Sequence, residues 1–483
     1  MRIKFFLYIN ITQGKILIME YIEEPKRKVP ILAKTDVLVV GGGPAGISAA
    51  LTAAREGVDT ILVERYGCFG GVITQAMVGT ITWYRYAKTV DAGGIGSEFE
   101  RRAKEEGASI NIIGNVKNKD MLATLEKEGL IADGNPTYEV LDTEKFKFLI
   151  DKMIQEAGVK PLLHSYVTDV IMEGKKLIGV ITESKSGRQA ILAKRIIDAT
   201  GDADIAFHAG VPFRKNPKDE LMEVTVNYGC SGINIGKFLM YVYLNPGKIG
   251  DWGETQDEDA FSTHLVEPFN EAREAGEIPE DVNIESYWTN YTDAGEITSF
   301  NGIHIHNIDP LDVWDLTKAE IMGRQRVIWA VNALKKYTPG FKKARLRTIG
   351  SSLGVRESRK IIGEYEITES DVRNQARFED SIGICPEFID GYGIAIMPKT
   401  GRYFQVPYRI MVPQKVENLL VAGRCVAGDK VSHAASRQMC CCFVTGQAAG
   451  AAAAISIRQH SNCRNVNIST VQNVLQKQGV RIN

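Results

Sequence analysis

The sequence lacks most of the patterns that would place it quickly. Its eight cysteines, at positions 68, 230, 385, 425, 440, 441, 442 and 463, include no C-x-x-C pair, so iron–sulfur, zinc-ribbon and thioredoxin-like sites lose their usual ligand spacing. There is no repeat period, proline-rich linker or low-complexity tract. Net charge is nearly absent, since 58 Lys and Arg against 59 Asp and Glu leave −1. That offers no electrostatic footprint for nucleic acid or for an anionic membrane. A long hydrophobic run is missing from the start as well: in MRIKFFLYINITQGKILIM, Asn10, Thr12, Gln13 and Lys15 interrupt the apolar residues. The stretch is too broken to span a membrane and does not end at a small-residue cleavage site.

What remains, 44% hydrophobic and 24% charged residues, is the composition of a soluble globular protein. At 483 residues the chain exceeds what one core usually holds, and two domains are expected. A cytoplasmic, reducing setting and a small-molecule substrate fit these numbers. The run Cys440, Cys441, Cys442 reads as buried small residues rather than a redox centre. Residues 1–18 read as an upstream extension or a poorly ordered tail, and the basic run Lys342, Lys343, Arg345, Arg347 as a solvated face.

The densest signal is DVLVVGGGPAGISAALTAAREGVDTILVERYGCFGGVITQ, residues 36–75. A short apolar run, three glycines, an alanine-rich helical pattern and a second apolar run make a βαβ unit. Gly41, Gly43 and Gly46 fill G-x-G-x-x-G, with Pro44 and Ala45 in the same turn. The first glycine permits the tight turn, the second lets backbone approach a pyrophosphate, and the third packs helix on strand. Glu64 stands where an acid accepts hydrogen bonds from ribose hydroxyls, and Arg65 follows it. NAD and FAD both satisfy this much. After Glu64, however, Gly67, Gly70 and Gly71 allow a loop to wrap a longer dinucleotide a second time. Far downstream, NLLVAGRCVAGD supplies a further strand, the Gly423 turn and Asp429, an acid placed for ribityl hydroxyls unless it is simply a turn residue.

Together with RIIDATGDADIAFHAG, TIGSSLGVRESRKIIGEYEIT and NLLVAGRCVAGDKVSHAASRQMCCCFVTGQAAGAAAA, these segments resemble the FAD-dependent oxidoreductases of the glutathione-reductase-like superfamily, most closely its fumarate-reductase-like group. The resemblance runs from about Glu20 to Ser456. It implies FAD as cofactor and an α/β fold, a Rossmann-like FAD-binding domain with an inserted α+β substrate domain. The FAD domain is expected over 36–75, 143–222 and 410–460, the substrate or cap domain over 76–142 and 223–409, with a lead-in over 1–35 and a tail over 461–483. By the same likeness Val167 meets the adenine by backbone, and Gly201 and Asp202 lie near the ribityl-pyrophosphate stretch. Two departures stand out. Many relatives have Met-Pro where this chain has Met439-Cys440, and relatives often have His or Thr where Lys430, expected to face solvent, stands here.

No second dinucleotide motif is present, nor the neighbouring redox cysteines of pyridine-nucleotide disulfide enzymes. GGIGSEFE, from Gly93, reads as a helix start. The electron partner stays open between NAD(P)H and a separate protein, and so does homo-oligomer formation. The final helix is expected to start near 439–442 beside the flavin, where its positive end stabilises the reduced form. His433 and Arg437, four residues apart, share a helix face and are the first catalytic candidates, unless the one caps backbone and the other closes a structural ion pair. Arg356 is the next, one of a pair with Arg359 of which one binds substrate. His304 and His306 fall on one strand face and line either a site or plain surface; no metal is expected. Arg402 and Tyr403 are weaker candidates. The reading is an FAD-dependent oxidoreductase that passes a hydride between a small polar organic substrate and flavin N5. Its alternatives are a flavin-bearing electron-transfer subunit whose partner holds the substrate, and a flavin protein without net redox.

Overall fold

The structure, a computed structural model, describes residues 6–12, 15–22, 24–79, 92–110, 140–245, 249–251, 263–292, 294–396 and 401–483. Parts of the expected cap segment 76–142 therefore lie outside the described residues.

Two sheets carry the chain. The larger has seven strands. Its parallel part runs in the order Lys160–Leu162, Thr60–Val63, Ile31–Val40, Gly187–Asp198, Leu419–Val421. The strand Gly187–Asp198 serves two partners along one edge. Its first half pairs antiparallel with Lys176–Ser184, which turns back to Tyr166–Glu173, while Ile196, Ile197 and Asp198 pair parallel with Leu419–Val421. Val37, Leu38, Val39 and Val40 are buried without alternation, the pattern of a parallel strand enclosed on both faces.

Two helices with small residues make the close packing behind this sheet. Pro44–Arg55 starts with proline in its first turn and is buried from Pro44 to Ala53. Met439–Arg458 is buried from Met439 to Ser456. They approach so closely that a Cβ built on Gly446 would lie 2.1 Å from Ala45 O, and one on Gly450 2.3 Å from Ala49 O. Met439–Arg458 has the length and apolarity of a membrane span, yet 94% of its apolar window is buried inside the fold. Its hydrophobicity is that of a core helix.

The second sheet is antiparallel, in the order Ile249–Asp251, Thr263–Leu265, Ser286–Thr292, Glu296–Ile305, Val224–Ser231, Arg345–Ile349. It is inserted between two neighbouring strands of the first sheet and has its own core, in which Tyr228 stacks on Phe300 at 4.9 Å and Phe341 packs against Phe238. The 25-residue helix Val313–Tyr337 lies on this sheet, with Gly323 against Val226. The fold is thus α/β and Rossmann-like, with an α+β insertion.

Two stretches pack differently from the sequence reading. Ile361, Ile367, Ile382, Phe404 and Val406, assigned to the cap by composition, join the first core, because the pair Ser381–Pro386 and Tyr403–Pro407 packs on the helix Met439–Arg458. The C-terminal segment is no peripheral tail: Ile468–Lys477 is an amphipathic helix with Val471 and Leu475 fully buried, and Ile482 O accepts from Ser381 Oγ and Gln405 Nε2. Ahead of both sheets, Phe6–Thr12 pairs antiparallel with Lys15–Tyr21.

Candidate functional site

The parallel strands end along one edge, and the glycine turns of the sequence gather there. Gly41 has φ +99°, and a Cβ on it would meet Ala199 O at 2.4 Å, so this turn accepts only glycine. A Cβ on Gly46 would lie 1.7 Å from Gly41 O; helix and strand touch there. Gly43 differs, because the nearest protein atom to a Cβ on it is Gly71 Cα at 3.8 Å. Space is kept open at the helix start without a folding reason. Gly43 is also the N-cap, and no side chain caps the helix, which leaves its first N–H groups for an anion.

Around this opening stand the other turns. Gly70 N donates to Gly42 O at 2.8 Å, so the loop carrying Gly70 and Gly71 folds over the first turn. Glu64, at the end of the next strand, accepts from Gly42 N at 2.7 Å and from Tyr66 N at 3.0 Å, which fixes its carboxylate at the rim. Val167 is buried on the strand Tyr166–Glu173. Gly201, at φ +79°, and Gly423, at φ +86°, close the far side. A Cβ on Gly423 would sit 2.9 Å from Ala45 Cβ and 3.9 Å from Cys442 Sγ, so the Gly423 turn meets the starts of both long helices. The last of these, at Gln438, also lacks a side-chain cap. A chain of uncapped helix ends and open glycine turns fits an extended dinucleotide.

The charges at this edge are arranged in pairs. Asp202 Oδ1 accepts from Arg424 Nη2 at 2.7 Å and from Ser358 Oγ at 2.6 Å. Burial alone would raise its pKa, but Arg424, Ser358 and Arg65 outweigh burial and hold it below the usual carboxylate range. Burial likewise opposes the Arg65 charge, and Tyr66, Asp202, Glu64 and Asp204 together keep its pKa above the ordinary value. Arg359 belongs here rather than with a substrate: it donates to Asp202 O and to Asp204 Oδ1, both at 3.0 Å, and lies over the Phe207 ring. Asp429 is the N-cap of the helix Lys430–Ser436. Its Oδ1 accepts from Ser432 N at 2.7 Å and its Oδ2 from Glu369 N at 2.8 Å. The carboxylate that reaches the Gly423 turn is that of Asp202, carried by Arg424.

A second cluster joins Arg356, Arg437, His433 and His304. Asp390 accepts from Arg356 Nη2 at 3.0 Å on Oδ1 and from Arg437 Nη2 at 2.8 Å on Oδ2, so one carboxylate bridges two guanidinium groups. Arg356 also pairs with Glu223 at 2.9 Å. Arg437, 11% exposed at its side chain, keeps a buried Nε with no partner among the described residues. Burial pushes the Arg437 pKa down to about 10, with Arg356 acting the same way; it stays charged at neutral pH. Burial, then Lys360 and Arg437, push His433 well below its usual range. His433 is therefore neutral at pH 7 rather than poised between its two forms. Its Nε2 lies 3.3 Å from Arg356 O, which can only accept, so Nε2 carries the hydrogen. Nδ1 is left as a bare lone pair, buried and unpartnered among the described residues.

His304 is half-buried, and burial first, then Arg356, lowers its pKa. His306 lies beyond the end of that strand, largely exposed, 3.4 Å from Glu223. Lys430 pairs with Glu220 at the surface. Arg402 and Tyr403 are elsewhere, with Glu387 and under Arg377 respectively. The helix starting in GGIGSEFE is Gly94–Glu105.

Sequence reasoning missed Asp390, Glu223 and Tyr392. Tyr392 OH accepts from Asn216 Nδ2, and Asn216 also donates to Glu357, which is paired with the buried Lys360 at 2.5 Å. Asp390 sits in the short hairpin of Ile389–Gly391 and Ile394–Ile396, where no motif marks it. Also missed was the cysteine pairing: Cys441 is joined to Cys385 on the strand Ser381–Pro386, so the triplet does not consist of three inert thiols. No spacing rule finds two partners 56 residues apart.

A profile of the family described as FAD dependent oxidoreductase matches residues 36–475. A thiamine thiazole synthase of Methanococcus vannielii is 30% identical over 183 residues, which cover 36% of this chain and 59% of that protein. A digeranylgeranylglycerophospholipid reductase of Picrophilus torridus is 27% identical over 166 residues, 34% of this chain and 39% of that one. The match thus spans little more than half of the first relative and well under half of the second. A geranylgeranyl bacteriochlorophyll reductase-like crystal structure from Thermoplasma acidophilum covers 93% of this chain and 85% of its own at 15% identity, with a TM-score of 0.46.

Proposed function

Because the chain belongs to the FAD-dependent oxidoreductase family, we propose that it transfers a hydride between its FAD and a small polar substrate bearing a carboxylate or similar anionic oxygen. The residues that would hold FAD are Gly41, Gly43, Pro44, Ala45 and Gly46 at the pyrophosphate, Glu64 and Arg65 at the adenosine ribose, Gly70 and Gly71 in the covering loop, and Val167 at the adenine. Gly201, Asp202 and Gly423 would hold the stretch beyond. When bound, FAD supplies two-electron acceptance and donation at its isoalloxazine ring.

The observation that carries the substrate assignment is the pair of buried, unpartnered atoms Arg437 Nε and His433 Nδ1, one helical turn apart. Buried polar atoms are satisfied in nearly all folded proteins, and exceptions mark places where something else supplies the partner. Arg437 would bind the anionic oxygen, held in place by Asp390 on its far side. Arg356, pinned between Asp390 and Glu223, adds positive charge without moving. Neutral His433, with Nε2–H tied to Arg356 O, would take a substrate hydroxyl proton on Nδ1 or accept a hydrogen bond there. His304 contributes a neutral polar wall.

Anaerobic mixing of the holoenzyme with small hydroxy acids and polyols tests this reading. Bleaching of the flavin band by an acid, slowed at least tenfold in His433→Ala with FAD content unchanged, is expected. Bleaching of His433→Ala at the wild-type rate would take His433 out of the mechanism.

A further inference from the structure

Cys385 and Cys441 meet by design of the two elements that carry them. Gly383 and Cys385 lie two apart on a strand and share a face; Cys441 and Val444 lie three apart on a helix and share a face. A Cβ on Gly383 would strike Val444 Cγ1 at 2.5 Å, so the glycine lets strand and helix come close enough for the sulfurs next to them to join. The Cα atoms are 5.9 Å apart, within the range a disulfide spans. Both residues are buried, at 0% and 2% exposure.

The pairing is selective. Consecutive helical side chains point about 100° apart, so of Cys440, Cys441 and Cys442 one alone can face the strand. Cys442 is turned toward the Gly423 turn and Arg437 O, and burial pushes its thiol up to about 12. The other six cysteines, both neighbours of Cys441 among them, form no disulfide. A chain that keeps six thiols and closes one pair does not carry the dense disulfide framework of small secreted domains, and in a reducing compartment such a pair is usually transient, catalytic or redox-sensing. This pair sits in the first turn of the helix whose other side meets the Gly423 turn and the start of Pro44–Arg55.

We propose that Cys385 and Cys441 form a thiol–disulfide couple, a second two-electron store beside the flavin site and a site distinct from the Arg437 and His433 cluster. In the oxidised protein the sulfurs share one bond. Reduction breaks that S–S bond and makes two S–H bonds, consuming two electrons and two protons, which fully reduced FAD would supply on returning to its oxidised form. The burial of both sulfurs keeps bulky external thiols from taking part.

Reductive titration combined with thiol counting tests the couple. The holoenzyme is titrated anaerobically with dithionite, then denatured and alkylated before and after, and the adducts on Cys385 and Cys441 are located by peptide mass spectrometry. Four electrons per FAD are expected, with six alkylated cysteines in the oxidised protein and all eight after reduction. The double variant Cys385→Ser, Cys441→Ser should retain FAD and take up two electrons. Eight free thiols in the oxidised wild-type protein would overturn the proposal, and so would a disulfide that stays closed while the flavin is fully reduced. The thiol count needs only the wild-type protein, so a variant that fails to fold leaves the test intact. It is also independent of any organic substrate, so its failure and that of the hydride-transfer reading are separable.

Discussion

A methyl group at position 43 should remove FAD and leave the fold standing. Gly43 has φ −81° and ψ −173°, a conformation open to any residue, and a Cβ there would make ordinary van der Waals contact with Gly71 at 3.8 Å. The fold loses only the difference between glycine and alanine at an N-cap, up to about 1 kcal/mol, and for a chain of this length the apoprotein Tm falls by roughly 2 °C or less. The same methyl occupies the opening through which a pyrophosphate would reach the free N–H groups of the helix start. Two hydrogen bonds to a charged group at about 1.5–3 kcal/mol each amount to about 3–6 kcal/mol, or roughly 10²- to 10⁴-fold in FAD affinity. Gly46→Ala is the contrasting control, because its methyl would lie 1.7 Å from Gly41 O and must disrupt the fold itself. The assay pairs thermal melting of apoprotein with FAD titration followed by flavin fluorescence. Gly43→Ala that binds FAD as tightly as wild type would refute the placement of the pyrophosphate; a collapsed apoprotein would refute the reading of the space as open.

Three further outcomes follow from the packing and the charges. Gly446→Ala forces apart the helices Pro44–Arg55 and Met439–Arg458, since its methyl would lie 2.1 Å from Ala45 O; denaturant melts should show a loss of about 1–3 kcal/mol or more, and an unchanged midpoint would contradict the packing. Asp198, wholly buried, is pushed up to about 6 by burial, which outweighs its hydrogen bonds from Ala206 and Thr200. Folded, it holds its proton more tightly than when unfolded, so its contribution is fully present below about pH 4 and lost as pH rises to about 6, some 3 kcal/mol in all. The stability of wild type relative to Asp198→Asn should fall by that amount between pH 4 and 7, and a constant gap would rule the shift out. Arg437→Met leaves Asp390 with Arg356 as its remaining cation; a stability loss of up to about 3 kcal/mol with FAD content retained is expected, checked by melts and by the flavin-to-protein absorbance ratio.

The dinucleotide edge was the legible part of the chain because its chemistry is local. Gly41, Gly43, Gly46 and Glu64 lie within one βαβ unit, and their spacing alone reports a turn, a helix start and a strand end. Helical spacing likewise makes His433 and Arg437 neighbours from sequence alone. What stayed hidden depends on contacts between distant segments. Asp390 matters because two arginines from separate stretches converge on it, and nothing in its own surroundings signals that. Asp429 reads as an acid available after a glycine turn; its oxygens also cap backbone, accepting from the N–H groups of Ser432 and Glu369, as those of Glu64 accept from Gly42 and Tyr66, and that double use leaves no mark in the sequence. The tail was misjudged since polar composition masks the two buried positions, Val471 and Leu475, that anchor it.

The most direct test of the account is a spectral titration of FAD-saturated protein with small carboxylates such as acetate, oxalate and succinate, in wild type and in Arg437→Met. A saturable shift of the flavin absorption bands in wild type, absent from the variant at equal FAD occupancy, is what an anion site at Arg437 beside the flavin predicts. An identical shift in both proteins, or none in wild type with any of these probes, would contradict it.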